Sequence, residues 1–79
     1  VITVRYFAAA AEAAGAGTEE VPALTAAELR AALVERHGDG LRRVLERCAL
    51  LHEGERLDDP RTPLRPGGLV DVLPPFAGG

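Results

Sequence analysis

Apolar and polar positions alternate along the first seven residues, with Ile2, Val4 and Tyr6 on one face of an extended chain and Val1, Thr3, Arg5 and Phe7 on the other. A period of two marks a half-buried strand, and the first set is the expected core face. Ala8 to Ala14 is an alanine-rich helical stretch closed by Gly15, and Gly15-Ala16-Gly17 turns the chain back. Thr18 to Pro22 reads as a short strand; Pro22 has no amide to donate, so it belongs at an edge or at the strand's end. Thr25-Ala26-Ala27-Glu28 has the form of a capping box, in which Thr25 accepts from the Glu28 amide while Glu28 reaches back. A helix is predicted from there, with Ala26, Leu29 and Leu33 as its buried stripe and Gly38, after Arg36 and His37, as a left-handed stop. Leu41, Val44, Leu45 and Cys48 repeat the i, i+3, i+4, i+7 pattern, which predicts a shorter helix with Arg42, Arg43, Glu46 and Arg47 toward water.

Ala49 to His52 and Glu55 to Leu57 flank Glu53-Gly54, a connection of hairpin type. Asp58 to Leu64 carries Pro60 and Pro63 and reads as an irregular crossover; Pro66-Gly67 suits the centre of a type II turn, and Leu69 to Leu73 is the last strand. Two strands before the main helix and three after it predict an α+β domain, one mixed five-stranded sheet with a helix packed across one face. In the last strand Asp71 shares a face with Leu69 and Leu73, and a charged group is not expected in the core unpaired. Val70 and Val72 therefore point inward. Leu69 and Leu73, with Phe7 from the first strand, form a candidate hydrophobic docking patch on the opposite face.

The chain has 79 residues, 47% of them hydrophobic, enough for one domain whose core supplies about 3–5 kcal/mol of net stability. No apolar run approaches the roughly 20 residues that span a bilayer, and no basic segment leads into an apolar one at the start. A cytoplasmic location without membrane attachment is expected, and Val1 in place of methionine points to a processed or trimmed start. The formal charge is -3, and all nine basic residues are arginine. Without a clustered basic face, nucleic-acid binding is not expected.

Candidate chemistry among the side chains is sparse. Cys48 lies on an apolar helical repeat and is expected to be a buried structural thiol. His37 suits the last turn of a helix, His52 sits in a hairpin, and Glu19-Glu20 and Asp58-Asp59 read as solvated surface without the loop that a calcium site needs. Gly67-Gly68 precedes a strand and is a turn, not an anion cradle. No nucleophile–base or paired-carboxylate arrangement is present. The end of the chain is different. Pro74-Pro75 sets an extended exit, Phe76 offers an anchor, and Gly78-Gly79 carry no side chain, so a terminal carboxylate there could pass through a narrow channel into a partner.

Three segments resemble a known family. Val4-Arg5-Tyr6-Phe7-Ala8 followed by Gly15 is similar to the first strand and helix of the MoaD/ThiS sulfur carriers, Thr62-Pro63-Leu64-Arg65-Pro66-Gly67-Gly68-Leu69-Val70 resembles their TPLxDGDEV segment, and Pro74-Pro75-Phe76-Ala77-Gly78-Gly79 resembles their PPVAGG ending. The likeness covers nearly the whole chain and leans toward the small subunit of molybdopterin synthase (MoaD). Gly68 and Leu69 stand in place of an acidic pair, Leu73 in place of a common phenylalanine, and Phe76 in place of a common valine. The resemblance implies a ubiquitin-like β-grasp domain over residues 1–73 and a tail over 74–79. It further implies a non-catalytic carrier with no tightly bound cofactor or metal. A MoeB-type, E1-like adenylyltransferase would use ATP to adenylate Gly79, a sulfur donor protein would convert the adenylate to a thiocarboxylate, and a MoaE-type large subunit would receive the tail. The family docks through the sheet face and tail, so Phe7, Leu57, Leu69, Leu73, Pro74, Pro75, Phe76 and Ala77 are the expected partner-binding residues beside Gly78 and Gly79. Carriers for thiamin, cysteine or tRNA thiolation share these features, as do ubiquitin-like protein modifiers and plain binding modules.

Overall fold

The alternation of Ile2, Val4 and Tyr6 becomes β1 (Ile2–Tyr6), which places those three side chains in the core. The computed structural model describes residues 1–74. After β1 come α1 (Ala9–Ala14), β2 (Thr18–Val21), α2 (Ala26–His37), α3 (Asp39–Leu45), β3 (Ala49–His52), β4 (Glu55–Arg56) and β5 (Leu69–Leu73). The strands form one mixed sheet in the order β2-β1-β5-β3-β4. β1 runs parallel to β5 and antiparallel to β2, while β3 is antiparallel to both β5 and β4.

All three helices cover the same face. Ala10 of α1, Leu29 and Leu33 of α2, and Leu41 and Leu45 of α3 pack against Ile2, Val4, Tyr6, Val21, Val70 and Val72. Each fully buried leucine contributes roughly 1.5–3 kcal/mol over an exposed one. Leu64 of the crossover closes the core.

The start of α2 follows the capping box with one difference: Thr25 accepts from the Glu28 amide at 3.2 Å, but the Glu28 carboxylate reaches the Leu24 amide at 3.0 Å. The crossover satisfies two further orphan donors, since Ala26 N–H donates to Thr62 O and Ala27 N–H to Pro60 O. Gly38 departs from the expected left-handed stop. Its φ of 81° and ψ of -165° form a corner that ends α2 and starts α3 without an intervening loop. α3 closes at Leu45, so Cys48 lies beyond the helix and is half-buried, where the repeat predicted a buried helical position.

The Pro66-Gly67 turn forms as expected, with Gly68 N–H donating to Arg65 O at 2.8 Å and Gly67 at φ 77°. Gly68 is held to glycine by space, since a Cβ there would meet His52 Cε1 at 2.7 Å and Arg65 O at 2.8 Å. His52 is fixed in turn by Leu69 O, 3.2 Å from Nδ1, and by the Arg65 amide, which donates to Nε2 at 3.0 Å.

Candidate functional site

The face of the sheet away from the helices is built by strand parity. Thr3 and Arg5 of β1 lie beside Leu69 and Asp71 of β5, while Ala49 and Leu51 of β3 pair with Leu73 and Asp71. Phe7 follows β1 on this side, its amide donating to Val72 O, and is 39% exposed. Phe7, Leu73 and Ala49 thus make an apolar row across the end of β5, next to Pro74. The row behind it carries the charge. Arg5 grips Asp71 with two hydrogen bonds of 2.6 and 3.0 Å, and its guanidinium lies 5.9 Å from the centre of the Phe7 ring. The pair neutralises itself, so the face presents apolar surface around a satisfied ion pair.

The structure places Phe7, Leu69 and Leu73 on one face of the sheet, with the Arg5–Asp71 pair between Leu69 and the other two, and adds Leu51 and Ala49 to that face. Asp71 and Arg5 were each legible as outward-facing; their pairing depends on the β1–β5 register, which no local pattern reveals. Leu57 corrects an expectation. Its amide donates to Leu50 O, and both side chains pack against the core on the helix side, so Leu57 is not part of the open face. Pro74 also turns to the helix side, where it lines a cavity with Ala9, Ala10, Val44, Arg47 and Cys48. The expected tail residues Pro75, Phe76, Ala77, Gly78 and Gly79 lie outside the described residues.

The remaining polar groups have structural work. Glu19 is not solvated surface: its carboxylate accepts from the Tyr6 hydroxyl, from His37 Nε2 at 2.5 Å and from Arg36 at 2.9 Å, tying β2 to the end of α2. Burial by itself would raise the Glu19 pKa. The three hydrogen bonds outweigh it and hold the carboxyl below its ordinary range. Burial, and then the bond to this carboxylate, push the Tyr6 phenol well above its ordinary value. Burial also raises the Cys48 thiol, which disfavours the thiolate a nucleophile needs. Among the described residues no group of three His, Cys, Asp or Glu side chains could hold a metal ion, and no helix is long and apolar enough to cross a membrane.

The family model of the ThiS family matches residues 4–79. The chain belongs to the ThiS family. Among curated proteins none matches it in sequence. A chain from the complex of subunits 1 and 2 of the molybdopterin-converting factor of Helicobacter pylori 26695 is 32% identical, with a TM-score of 0.74 over 99% of this chain and 97% of that one. SAMP1 from Haloferax volcanii is 27% identical, with a TM-score of 0.81 over 99% and 98%. A chain of the BexX/CysO complex of Amycolatopsis orientalis, at 18% identity, shares the fold over the full length of both chains with a TM-score of 0.80. The mixed sheet with helices on one face is thus the ubiquitin-like β-grasp, and the family is that of the small sulfur carriers. Two of these similar structures are complexes with a second protein.

Proposed function

We propose that this ThiS-family chain carries sulfur on its C-terminal glycine for molybdopterin synthesis, as the small subunit of a molybdopterin synthase. An E1-like adenylyltransferase joins the Gly79 carboxylate to AMP from ATP, releasing pyrophosphate. A persulfide on a donor protein then attacks the adenylate and displaces AMP, a further protein thiol cleaves the resulting acyl disulfide with formation of a protein disulfide, and the thiocarboxylate so released is presented to the large subunit. ATP is bound by the partner enzyme, and the carrier contributes the acyl end and a docking surface while its partners supply the acids, bases and substrate pocket.

The observation that carries this reading is one of placement: β5 delivers the chain to Pro74 beside the apolar row of Phe7, Leu73 and Ala49, and the family match continues through Gly79. A partner that grips this row has the tail root at its edge. The 32% identity to the Helicobacter pylori chain, taken from a two-subunit complex of the molybdopterin-converting factor, favours this pathway. The likeness to SAMP1, a small archaeal modifier protein, supports conjugation of Gly79 to protein amines as a second reading. A chain lacking Gly79 is expected to fold and bind the large subunit yet transfer no sulfur to a pterin precursor. Full transfer by that chain would sink the proposal, and formation of protein adducts by the full chain, without sulfur transfer, would favour the second reading.

A further inference from the structure

One row of residues crosses the open face of the whole sheet: Thr18 of β2, Arg5 of β1, Asp71 of β5, Leu51 of β3 and Arg56 of β4 are partners in successive strand registers. Arg5 and Asp71 stand at its centre, beside the apolar row of Phe7, Leu73 and Ala49. The Asp71 side chain is 20% exposed and that of Arg5 46%, so the guanidinium is the half of the pair that a partner can reach.

Asp71 engages one edge of that guanidinium, accepting from Nε on Oδ1 at 2.6 Å and from Nη2 on Oδ2 at 3.0 Å. A guanidinium has five N–H groups. With two engaged, three remain, and none of these has an acceptor among the described residues. Two of them, one on Nη1 and one on Nη2, point in parallel from the next edge of the group. They match the two oxygens of a second carboxylate, a bidentate geometry that lysine cannot offer. The group is also held before any partner arrives. The ion pair fixes its orientation and the Phe7 ring lies 5.9 Å from it, so little side-chain freedom is lost on binding.

In the free chain water hydrates the open edge. Beneath a docked protein that water is lost, and a charged donor buried without an acceptor costs more than a neutral one. A partner that covers the apolar row therefore needs oxygen opposite Arg5. A backbone carbonyl would fill one of the two parallel N–H groups, whereas a carboxylate fills both. We propose that the large subunit places an Asp or Glu carboxylate on the Nη1–Nη2 edge of Arg5, beside the surface that meets Phe7 and Leu73, and that this contact selects the partner. A protein with an otherwise similar apolar surface but no acid at that point strands the open edge and is rejected. The inference rests on the reading that the sheet face docks the large subunit.

The test measures the affinity of the full 79-residue chain for the large subunit by calorimetry, with circular dichroism to check folding. Arg5→Met combined with Asp71→Leu leaves an apolar face on which the partner's carboxylate has no counterpart, and affinity is expected to fall at least about tenfold. Arg5→Lys keeps the charge but not the parallel N–H groups, and a smaller fall is expected. Changing the acidic residues of the large subunit one at a time to Asn or Gln should find one whose loss weakens binding of the wild-type chain at least about tenfold. The same change should leave binding of the Arg5→Met, Asp71→Leu chain unaltered. Unchanged or tighter binding by that chain overturns the inference, as does a large subunit in which no acidic residue couples to Arg5. Should that chain fail to fold, Arg5→Lys and the scan of the partner decide. The Phe7→Asp, Leu73→Asp chain separates this inference from the reading beneath it. If it binds as wild type does, the face does not dock and both fall. If it binds weakly while the Arg5→Met, Asp71→Leu chain binds as wild type does, the face docks without a carboxylate and only this inference falls.

Discussion

Replacing Glu19 by glutamine removes the charge at the centre of the Tyr6–His37–Arg36 network while keeping the side chain's shape. The carboxylate is only 15% exposed and accepts from all three partners. An amide in its place has one oxygen to accept with and turns an NH2 group toward donors, leaving the Tyr6 hydroxyl or His37 Nε2 in conflict. Hydrogen bonds to a charged group contribute about 1.5–3 kcal/mol each, and breaking a buried pair costs about 3–5 kcal/mol. Arg36 is 41% exposed and regains water, so the low end applies. The expected loss is about 2–3 kcal/mol, more than half of what a domain of this size holds. Urea unfolding followed by circular dichroism measures it. The pH dependence gives a second check. Because the folded-state pKa of Glu19 lies below its unfolded value, the wild-type contribution is fully present above the unfolded value of about 4.3. It is lost as the pH falls through the lower, folded value. The gap between wild type and variant should stay constant from neutral pH down to about 5 and narrow in stronger acid. A gap under about 0.5 kcal/mol at neutral pH, within the range of ordinary surface substitutions, would refute the reasoning, as would a gap that widens in acid.

Three further outcomes are expected. Gly68→Ala places a methyl group 2.7 Å from His52 Cε1 and 2.8 Å from Arg65 O, both held by hydrogen bonds, and should cost about 1–3 kcal/mol. Each kcal/mol lowers Tm by about 4–8 °C in a domain this small, and an unchanged Tm contradicts the packing described. Ala8 bends the chain between β1 and α1 at φ 54° and ψ -127°. Ala8→Gly relieves strain of about 1–3 kcal/mol against up to about 1 kcal/mol of added backbone entropy, so urea unfolding should show a gain near 1 kcal/mol and not a loss. Phe7→Asp combined with Leu73→Asp should weaken binding to the large subunit and to the E1-like enzyme at least about tenfold by calorimetry, about 1.4 kcal/mol, with the fold intact. Unchanged affinity would place docking elsewhere.

Much of this fold was legible because its signals are local. The parity of Ile2, Val4, Tyr6 and of Val70, Val72, the Thr25 cap and the Pro66-Gly67 turn each act within a few residues, and each appears where the pattern predicts. The misreadings at Leu57 and Glu19 are matters of long-range pairing, while that at Cys48 concerns where a helix ends. Leu57 was expected on the open sheet face through the resemblance, but its side chain packs against the core on the helix side with that of Leu50, whose carbonyl accepts from its amide. Glu19, adjacent to Glu20 in an exposed-looking pair, points inward because its parity matches Val21 and because Tyr6 from β1 and Arg36 and His37 from α2 arrive to satisfy it. Cys48 continued an apolar repeat past the point where the helix ends, since a repeat shows which face is apolar and not how long the helix lasts. The candidate docking face was readable as three residues; its extension through Leu51 and Ala49 required the β3–β5 register.

The central claim is that Gly79 bears the transferred sulfur, and the intact mass of the purified chain tests it most directly. After incubation with a cognate E1-like enzyme, ATP and a sulfur donor, the chain should gain the mass of one oxygen-to-sulfur exchange, confined by fragmentation to Gly79. The same gain is expected for Cys48→Ala, because the half-buried thiol takes no part in the transfer. Deletion of Gly79 should abolish the gain. An unchanged mass with active enzymes, or a sulfur found on Cys48 instead of the terminal carbonyl, would contradict the account.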